Sequence, residues 1–153
     1  MKRGIILISF FLSIFACDKE DKEDKECMLL MYVPLPSLEE VYGCTDTRYA
    51  LHIDLQETHE LIRTKRTYDE KVTGSCHPAI DFEKYDLLIG RKGLKSGNHS
   101  ITYELKKSCT GEERLVVTFH QDISAVATTV TYHVLLPKAD SNRTIAVETK
   151  IVY

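Results

Sequence analysis

Hydrophobic and polar residues alternate along much of the second half of the chain. Leu115, Val117 and Phe119 form one apolar row, and similar rows recur over residues 49–55, 101–105 and 145–153. A longer β-branched run covers residues 126–136 and ends at Pro137. A period of two places alternate side chains on opposite faces of a strand. Several such strands with turn residues between them predict a mainly β, β-rich α+β fold: a single small antiparallel sandwich or curved sheet.

One or two short helices complete the predicted fold. Ser37 and Glu40 have the spacing of a capping box, and Gly43 stands where a helix C-cap glycine belongs. One or two helical turns therefore fit between them. We also expect a short helix over residues 56–65, and an apolar strand that runs from Tyr85 and stops at Gly90.

The first residues are typical of a secretory signal peptide. Lys2 and Arg3 precede an apolar stretch over residues 5–16, which is shorter than the roughly 20 residues that span a bilayer as a helix. Ile-Phe-Ala then leads to Cys17, a layout that resembles a bacterial lipobox, in which the cysteine thiol is acylated. Residues 1–16 are therefore interpreted as a lipoprotein signal peptide, and Cys17 as the membrane anchor. An ordinary cleaved signal peptide is the alternative.

An Asp-Lys-Glu triplet repeats three times over residues 18–26. Such a segment has no apolar group to bury, so residues 17–26 are predicted to form a lipidated, disordered tether. The repeat is similar to the export tags of surface lipoproteins in Bacteroidetes. It favours an outer-membrane lipoprotein at the cell surface, and a plain tether on a periplasm-facing protein is the alternative.

Residues 27–153 suffice for a single domain with a core of its own. The net charge of the chain is −3, with no basic cluster, and this argues against nucleic acid as a partner.

Four cysteines follow the predicted lipid anchor. An even number in an exported protein indicates disulfides. Cys76 precedes one predicted strand and Cys109 follows the next, so a hairpin of these strands would bring the two together. We therefore expect Cys76–Cys109, and Cys27–Cys44 by elimination. Zinc sites usually have C-x-x-C pairs, which are absent from this sequence, so no metal is expected.

Catalytic motifs are missing from the sequence. The six histidines include no H-E-x-x-H motif, and His52, His120 and His133 occupy the polar faces of predicted strands, where sheet or surface histidines are ordinary. No G-x-S-x-G elbow is present, and the acids over residues 81–86 are interpreted as solvated loop charge. We therefore expect a protein that is not an enzyme and that carries no cofactor.

One stretch resembles a known family. Asp81–Gly90, Ile101–Leu105 and Tyr132–Lys138 are similar to the C-terminal domain of the protease-complex subunit PrcB and its lipoprotein relatives. The chain has Ser96–His99 where that family tends to have a Thr-Gly-Gly-Tyr turn. The resemblance implies a small β-rich domain that binds another protein, and it implies no catalytic residues.

The sequence thus favours a non-enzymatic, membrane-anchored module that binds a protein, as an accessory subunit of an envelope protease complex. The alternatives are an inhibitor of a secreted hydrolase, such as a lysozyme or a protease, and a binder of glycans or small ligands. Candidate contacts are the acidic end at residues 81–86 and a predicted loop over residues 91–100. The loop residues proposed to touch the partner are Arg91, Lys92, Lys95, Asn98 and His99.

Overall fold

The computed structural model describes residues 28–29 and 35–153. The predicted signal peptide, Cys17, the tether and Cys27 lie outside the described residues. In chain order the elements are β1 (Met28–Leu29), α1 (Leu38–Tyr42), α2 (Thr47–Ala50), β2 (Leu51–Ile53), β3 (His59–Ile62), α3 (Lys65–Lys71), β4 (Val72–Gly74), β5 (Tyr85–Leu94), β6 (Asn98–Ser108), β7 (Glu113–Gln121), β8 (Thr128–Pro137) and β9 (Ile145–Val152). The predicted β-rich, sandwich-like fold is confirmed, with three short helices rather than one or two.

The strands form two main sheets and one small pair. The outer sheet has the order β1-β6-β7-β9, the central sheet has the order β3-β5-β8, and β2 pairs with β4. Neighbouring strands are antiparallel except β7 and β9, which are parallel. A parallel pair needs a crossover. Here the chain makes it by leaving the outer sheet, adding β8 to the central sheet and then returning.

The central sheet is buried on both faces, so the molecule has three layers. Every residue of β5 from Asp86 to Gly90 is buried, as expected for a strand covered on two sides. Leu88, on one face, belongs to the core against the outer sheet, together with Leu115 and Phe119. Leu87, on the other face, packs with the third layer, which consists of the helices and the β2–β4 pair.

The capping box at Ser37 is confirmed. Its hydroxyl accepts a hydrogen bond from the Glu40 backbone N–H at 3.1 Å, and the Glu40 carboxylate accepts one from the Ser37 backbone N–H at 3.0 Å. Gly43 ends α1 in the left-handed conformation, with φ of 68°. The preceding residues protect an edge of the central sheet, because the Leu135 N–H donates to the Pro36 carbonyl at 3.1 Å.

The helix predicted over residues 56–65 is wrong. Residues His59–Ile62 form β3, which pairs with β5 in the register His59 to Gly90, and Ile62 is fully buried. The helix in this region is α3, and it begins only after Thr64, whose hydroxyl accepts the Thr67 N–H at 3.2 Å. Pairing with β5 offers this segment burial that the sequence of residues 56–65 alone does not reveal.

The predicted disulfide pairing is also wrong. Cys44 is bonded to Cys76, with Cα atoms 5.8 Å apart, so neither Cys76–Cys109 nor Cys27–Cys44 forms. The prediction assumed that β5 and β6 pair as a hairpin. They belong to different sheets, so Cys76, before β5, lies with the third layer, whereas Cys109 follows β6 in the outer sheet. Cys109 is itself disulfide-bonded.

Candidate functional site

The predicted contact loop over residues 91–100 is mostly strand. β5 runs to Leu94 because β8 pairs with each of its residues, as far as Leu94 opposite Thr128. Residues 95–97 form a tight turn, called here the β5–β6 turn, which carries the chain from the central sheet to the outer sheet. The stop predicted at Gly90 is therefore wrong as well.

Of the five candidate contact residues, only Lys95 and His99 are exposed. Arg91 and Lys92 are half-buried in β5, and the Lys92 ammonium lies 3.4 Å from the Glu57 carboxylate. Asn98 is buried, and its side-chain amide donates to backbone carbonyls at 3.0 and 3.1 Å. A partner that approaches this end of the sandwich therefore meets the turn and not a long flexible loop.

The acidic end is only partly available to a partner. Asp81 forms an ion pair with Lys84 at 3.0 Å, and this hydrogen bond contributes most to lowering the pKa of the Asp81 carboxyl. Asp86 has no exposed surface, and its carboxylate accepts a hydrogen bond from the Lys138 ammonium at 2.8 Å. Asp86 thus belongs to the interior and cannot be the contact that the sequence suggested.

Among the described residues, the two most exposed aliphatic side chains lie in a segment that was not predicted as a contact. Residues 122–127, called here the β7–β8 loop, are all exposed. Ile123 is 106% exposed and Val126 is 69% exposed. The strand predicted over residues 126–136 includes Val126, and no prediction covers Ile123. The available signal was the Asp122-Ile123-Ser124 triplet, since an aspartate that binds the backbone two residues on marks a turn.

Hydrogen bonds hold the base of this loop against the β5–β6 turn. The Asp122 N–H donates to the Gly97 carbonyl at 3.1 Å, and the Gly97 N–H donates to the Ser124 hydroxyl at 3.1 Å. The Ser124 N–H donates to the Asp122 carboxylate at 2.8 Å, and bonds from the Ser124 hydroxyl and N–H lower the pKa of Asp122. A Cβ at Gly97 would collide with the Ser124 hydroxyl and the Asp122 carboxylate, so a larger residue there would displace the side chains that hold the loop.

An open pocket of about 700 Å³ lies beside these loops. Its walls come from the first turn of α1, from α2, from the start of β6 and from β8. The lining residues are Ser37, Glu39, Glu40, Asp46, Thr47, Arg48, His99, Ser100, Ile101, Tyr103, Thr131 and His133. Most of these side chains are polar, and three are carboxylates.

Glu39 organises the wall of the pocket. Its carboxylate accepts hydrogen bonds from the Thr47 hydroxyl and, at 3.2 Å, from the Thr47 N–H, and it thereby caps α2. The Asp46 side chain makes no such bond, although Asp46 is the residue before the helix. Burial by itself would raise the pKa of Glu39. Hydrogen bonds from His133 and Thr47 and the charge of His133 outweigh burial and lower it to about 2.

His133 connects β8 to α1. Its Nε2 lies 3.4 Å from the Glu39 carboxylate and 3.4 Å from the Leu38 backbone nitrogen, whereas its buried Nδ1 has no hydrogen-bond partner among the described residues. Neutral Nε2 can accept from Leu38, and protonated Nε2 can donate to Glu39, so one state cannot satisfy both contacts. Only 4% of the side chain is exposed, because the third layer covers the face of β8 that the sequence suggested was solvated.

Arg48 joins the pocket to the β5–β6 turn. Its guanidinium donates to the Asp46 carboxylate at 2.8 Å, to the Asn98 carbonyl at 2.8 Å and to the His99 carbonyl. It also lies 5.2 Å from the centre of the Tyr49 ring, which is 39% exposed. The pocket and the β7–β8 loop are therefore neighbours, and we call the surface formed by Arg48, Lys95, His99, Ile123 and Val126 the loop-end face.

Within the described residues, no three His, Cys, Asp or Glu side chains converge as ligands for a metal ion. In the same part of the chain, no helix combines the length and the apolar character needed to cross a bilayer. Comparisons with protein-family models, with curated proteins and with solved structures find no match to this chain.

Proposed function

We propose that this protein is a membrane-anchored, surface-exposed lipoprotein whose β-rich domain binds another protein and carries out no catalysis. The contact is the loop-end face. The observation that carries the proposal is the pair Ile123 and Val126, which are 106% and 69% exposed on a loop whose base is fixed by hydrogen bonds. Exposed aliphatic side chains on an ordered support are typical of a protein-contact site.

The fixed base of the loop favours binding. A loop that is already ordered loses little conformational entropy when a partner covers it. Burying two aliphatic side chains contributes about 1.5–3 kcal/mol each. The partner therefore has an apolar cleft that receives Ile123 and Val126. Its rim places polar groups into the neighbouring pocket, beside Glu40, Asp46 and Arg48.

The surroundings of His133 support a role without catalysis. A general base must reach the proton that it abstracts. The Nδ1 of His133 is buried, and its Nε2 faces Glu39 and the backbone of α1. The ring thus serves to hold α1 on β8. Among the possible roles we favour an accessory subunit of an envelope protease complex, because residues 81–138 resemble the C-terminal domain of PrcB.

Photo-crosslinking from the loop tests the proposal. A benzoylphenylalanine at position 123 or 126 in native cells is expected to give one discrete adduct, whose partner mass spectrometry identifies. Ala139, which is exposed on a loop at the opposite end of β8, is the matched control position. Ile123→Asp should abolish the adduct formed from position 126, whereas Ala139→Asp should leave it intact. Equal adducts from positions 126 and 139 would contradict the loop-end face as the contact.

Inhibition of a hydrolase is the second candidate, and one observation favours it. The β7–β8 loop presents Ile123 in solvent while Asp122 and Ser124 are tied to the β5–β6 turn, as expected of a segment that inserts into an enzyme cleft. Purified protein is expected to inhibit one enzyme in a panel of lysozymes and proteases, and Ile123→Asp is expected to abolish this inhibition. Full activity of every enzyme in the panel would remove this candidate.

The membrane location has its own test. Intact cells are treated with a protease and blotted for this protein, with a periplasmic protein as the control. Loss of the signal is expected for a surface lipoprotein, and Cys17→Ser should release the chain from the membrane fraction. Survival of the signal while the control also survives would place the domain on the periplasmic side.

A further inference from the structure

β9 forms an open edge of the outer sheet. It pairs with β7 on one side, and among the described residues no strand pairs with it on the other. Its eight residues, Ile145–Val152, carry neither proline nor glycine. An exposed edge of this length is a template for a further strand, because its outward N–H and C=O groups lack ladder partners.

The end of β9 also exposes part of the inner apolar row. Ile145, Val147, Thr149 and Ile151 lie opposite the inward residues of β7, in the register Glu113 to Ile145 and Phe119 to Ile151. Ile145 and Val147 pack against the core between the sheets, whereas Ile151 is 44% exposed. Tyr153, next in the row, is 93% exposed. An occupant that adds a strand here would cover apolar groups on this same face.

The charges of β9 select the occupant. Glu148 and Lys150 lie on the opposite face of the strand, with their charged atoms 3.5 Å apart. An antiparallel second copy centred on Thr149 places Glu148 opposite Lys150 of that copy, and Lys150 opposite its Glu148. The same register pairs Val147 with Ile151, and Ile145 with Tyr153. Opposite charges and apolar pairs at directly facing positions each stabilise a ladder.

Neighbouring registers lack this complementarity. A shift by two residues in one direction centres the pair on Glu148 and sets carboxylate against carboxylate. The same shift in the other direction centres it on Lys150 and sets ammonium against ammonium. A shift by one residue turns the apolar row to the wrong face. The sequence of β9 is thus self-complementary in the register centred on Thr149.

We propose that β9 pairs with β9 of a second copy of this chain, antiparallel and centred on Thr149, so that two outer sheets join into one. This surface is distinct from the loop-end face, because the interface uses the free edge of β9 rather than the β7–β8 loop. Failure of one proposal therefore leaves the other standing.

Disulfide trapping tests the register. Thr149→Cys in the full-length chain, expressed in native cells, is expected to give a reducible dimer, since the two copies of this residue face each other on the symmetry axis. Thr102→Cys is the matched control, because this exposed threonine lies in β6, which β7 separates from β9. A dimer yield from Thr149→Cys no greater than that from Thr102→Cys would overturn the proposal.

Charge exchange tests the pairing itself. In the Thr149→Cys background, Glu148→Lys or Lys150→Glu sets like charges opposite each other and is expected to lower the dimer yield several-fold. The double exchange restores opposite charges and is expected to recover most of the yield. Glu148 also lies 3.8 Å from Arg114 of its own chain, and the double exchange does not restore that contact. Recovery therefore reports the pairing between copies, and a double variant as poor as the single ones would contradict it.

Discussion

At the scale of single residues, Glu39 makes more structural contacts than is usual for a partly exposed side chain. It caps α2 through Thr47 and faces His133 of β8, so one carboxylate joins three elements. Its pKa is lowered to about 2 from 4.5, because hydrogen bonds from His133 and Thr47 and the charge of His133 outweigh the effect of burial. The ionised form is thus the one that the fold stabilises.

The stability of the fold should therefore depend on Glu39 at acidic pH. A carboxyl whose folded pKa is depressed contributes stability that is present above its unfolded pKa and is lost as the pH falls through its folded pKa. The loss is expected from about pH 4.5 down to about pH 2. Urea midpoints across this range measure it, and Glu39→Gln should remove that part of the pH dependence. Glu104→Gln on β6 is the control, and it should preserve the dependence.

Gly90 is a second residue with a structural task. A Cβ at this position would collide with the ring of Tyr132, and it would lie 2.7 Å from the Thr58 carbonyl. Tyr132 is 2% exposed and packs edge-on against Phe119 at 5.7 Å, so it has little room to move. Glycine allows the ring to lie over the backbone of β5.

Gly90→Ala is expected to destabilise the protein by about 1–3 kcal/mol, because it overpacks a filled core. Gly93→Ala in the same strand is the matched control. Its Cβ would meet only the end of the flexible Glu57 side chain, which can swing aside. Chemical denaturation measures both variants, and equal losses would contradict the role assigned to Tyr132.

Contacts between residues close in sequence could be predicted, whereas contacts between distant residues could not. Ser37 and Glu40 bind each other within one helical turn, so their spacing predicts the start of α1. Glu39 and His133 meet across 94 positions only after β8 has packed under α1. No pattern within β8 distinguishes a histidine covered by a helix from one in solvent.

At the scale of elements, the bond between Cys44 and Cys76 fastens the third layer. It joins the loop between α1 and α2 to the loop after β4 and closes a span of 32 residues. A span of this length contributes about 3–4 kcal/mol by restricting the unfolded chain. The two strands of this layer, β2 and β4, have three residues each, so the layer has few ladder bonds of its own.

The double variant Cys44→Ala, Cys76→Ala is expected to lower the free energy of unfolding, measured by chemical denaturation, by about 3 kcal/mol.

Non-reducing peptide mapping should find Cys44 joined to Cys76. It should also join Cys109 to Cys27, since the register of β1 and β6 pairs Met28 with Ser108 and the two cysteines come next. A peptide that joins Cys76 to Cys109 would contradict this arrangement.

Element boundaries were predictable where a strand or helix carries its own signal. The rows in β6, β7 and β9 alternate as expected of strands, and β8 is a long β-branched run. Residues 56–65 lack such a signal, and the gain from pairing β3 with β5 decided their conformation. The sequence alone does not predict which strands share a sheet. For example, β5 and β6 are adjacent in sequence but lie in different sheets.

At the scale of the whole molecule, the central sheet makes two cores into one cooperative unit. Leu87 and Leu88 are adjacent in β5, fully buried and on opposite faces. Neither core can lose its packing without disturbing the strand that both share. The sequence indicated several strands but not the second covered face, because an apolar run fits a strand buried on one side or on both.

Leu87→Ala and Leu88→Ala are each expected to cost about 2–5 kcal/mol, and each should weaken both cores. Hydrogen exchange of amides in α3, on one side, and in β7, on the other, should speed up by the same factor in either variant. Val126→Ala, at an exposed position, is the control and should change neither. Faster exchange confined to one side would indicate two independent units.

The crossover that places β9 beside β7 has a consequence for how the chain reaches its native state. β3 and β5 remain an incomplete sheet until β8 arrives, and the whole of β6 and β7 separates it from them in sequence. Closing such a long loop costs conformational entropy before the strand contacts that compensate for it can form, and this slows folding. A chain that leaves the ribosome N-terminus first therefore carries β5 with an apolar face uncovered until its last quarter is available. We expect the time spent in that state, rather than the final free energy of folding, to set the need for chaperones during synthesis.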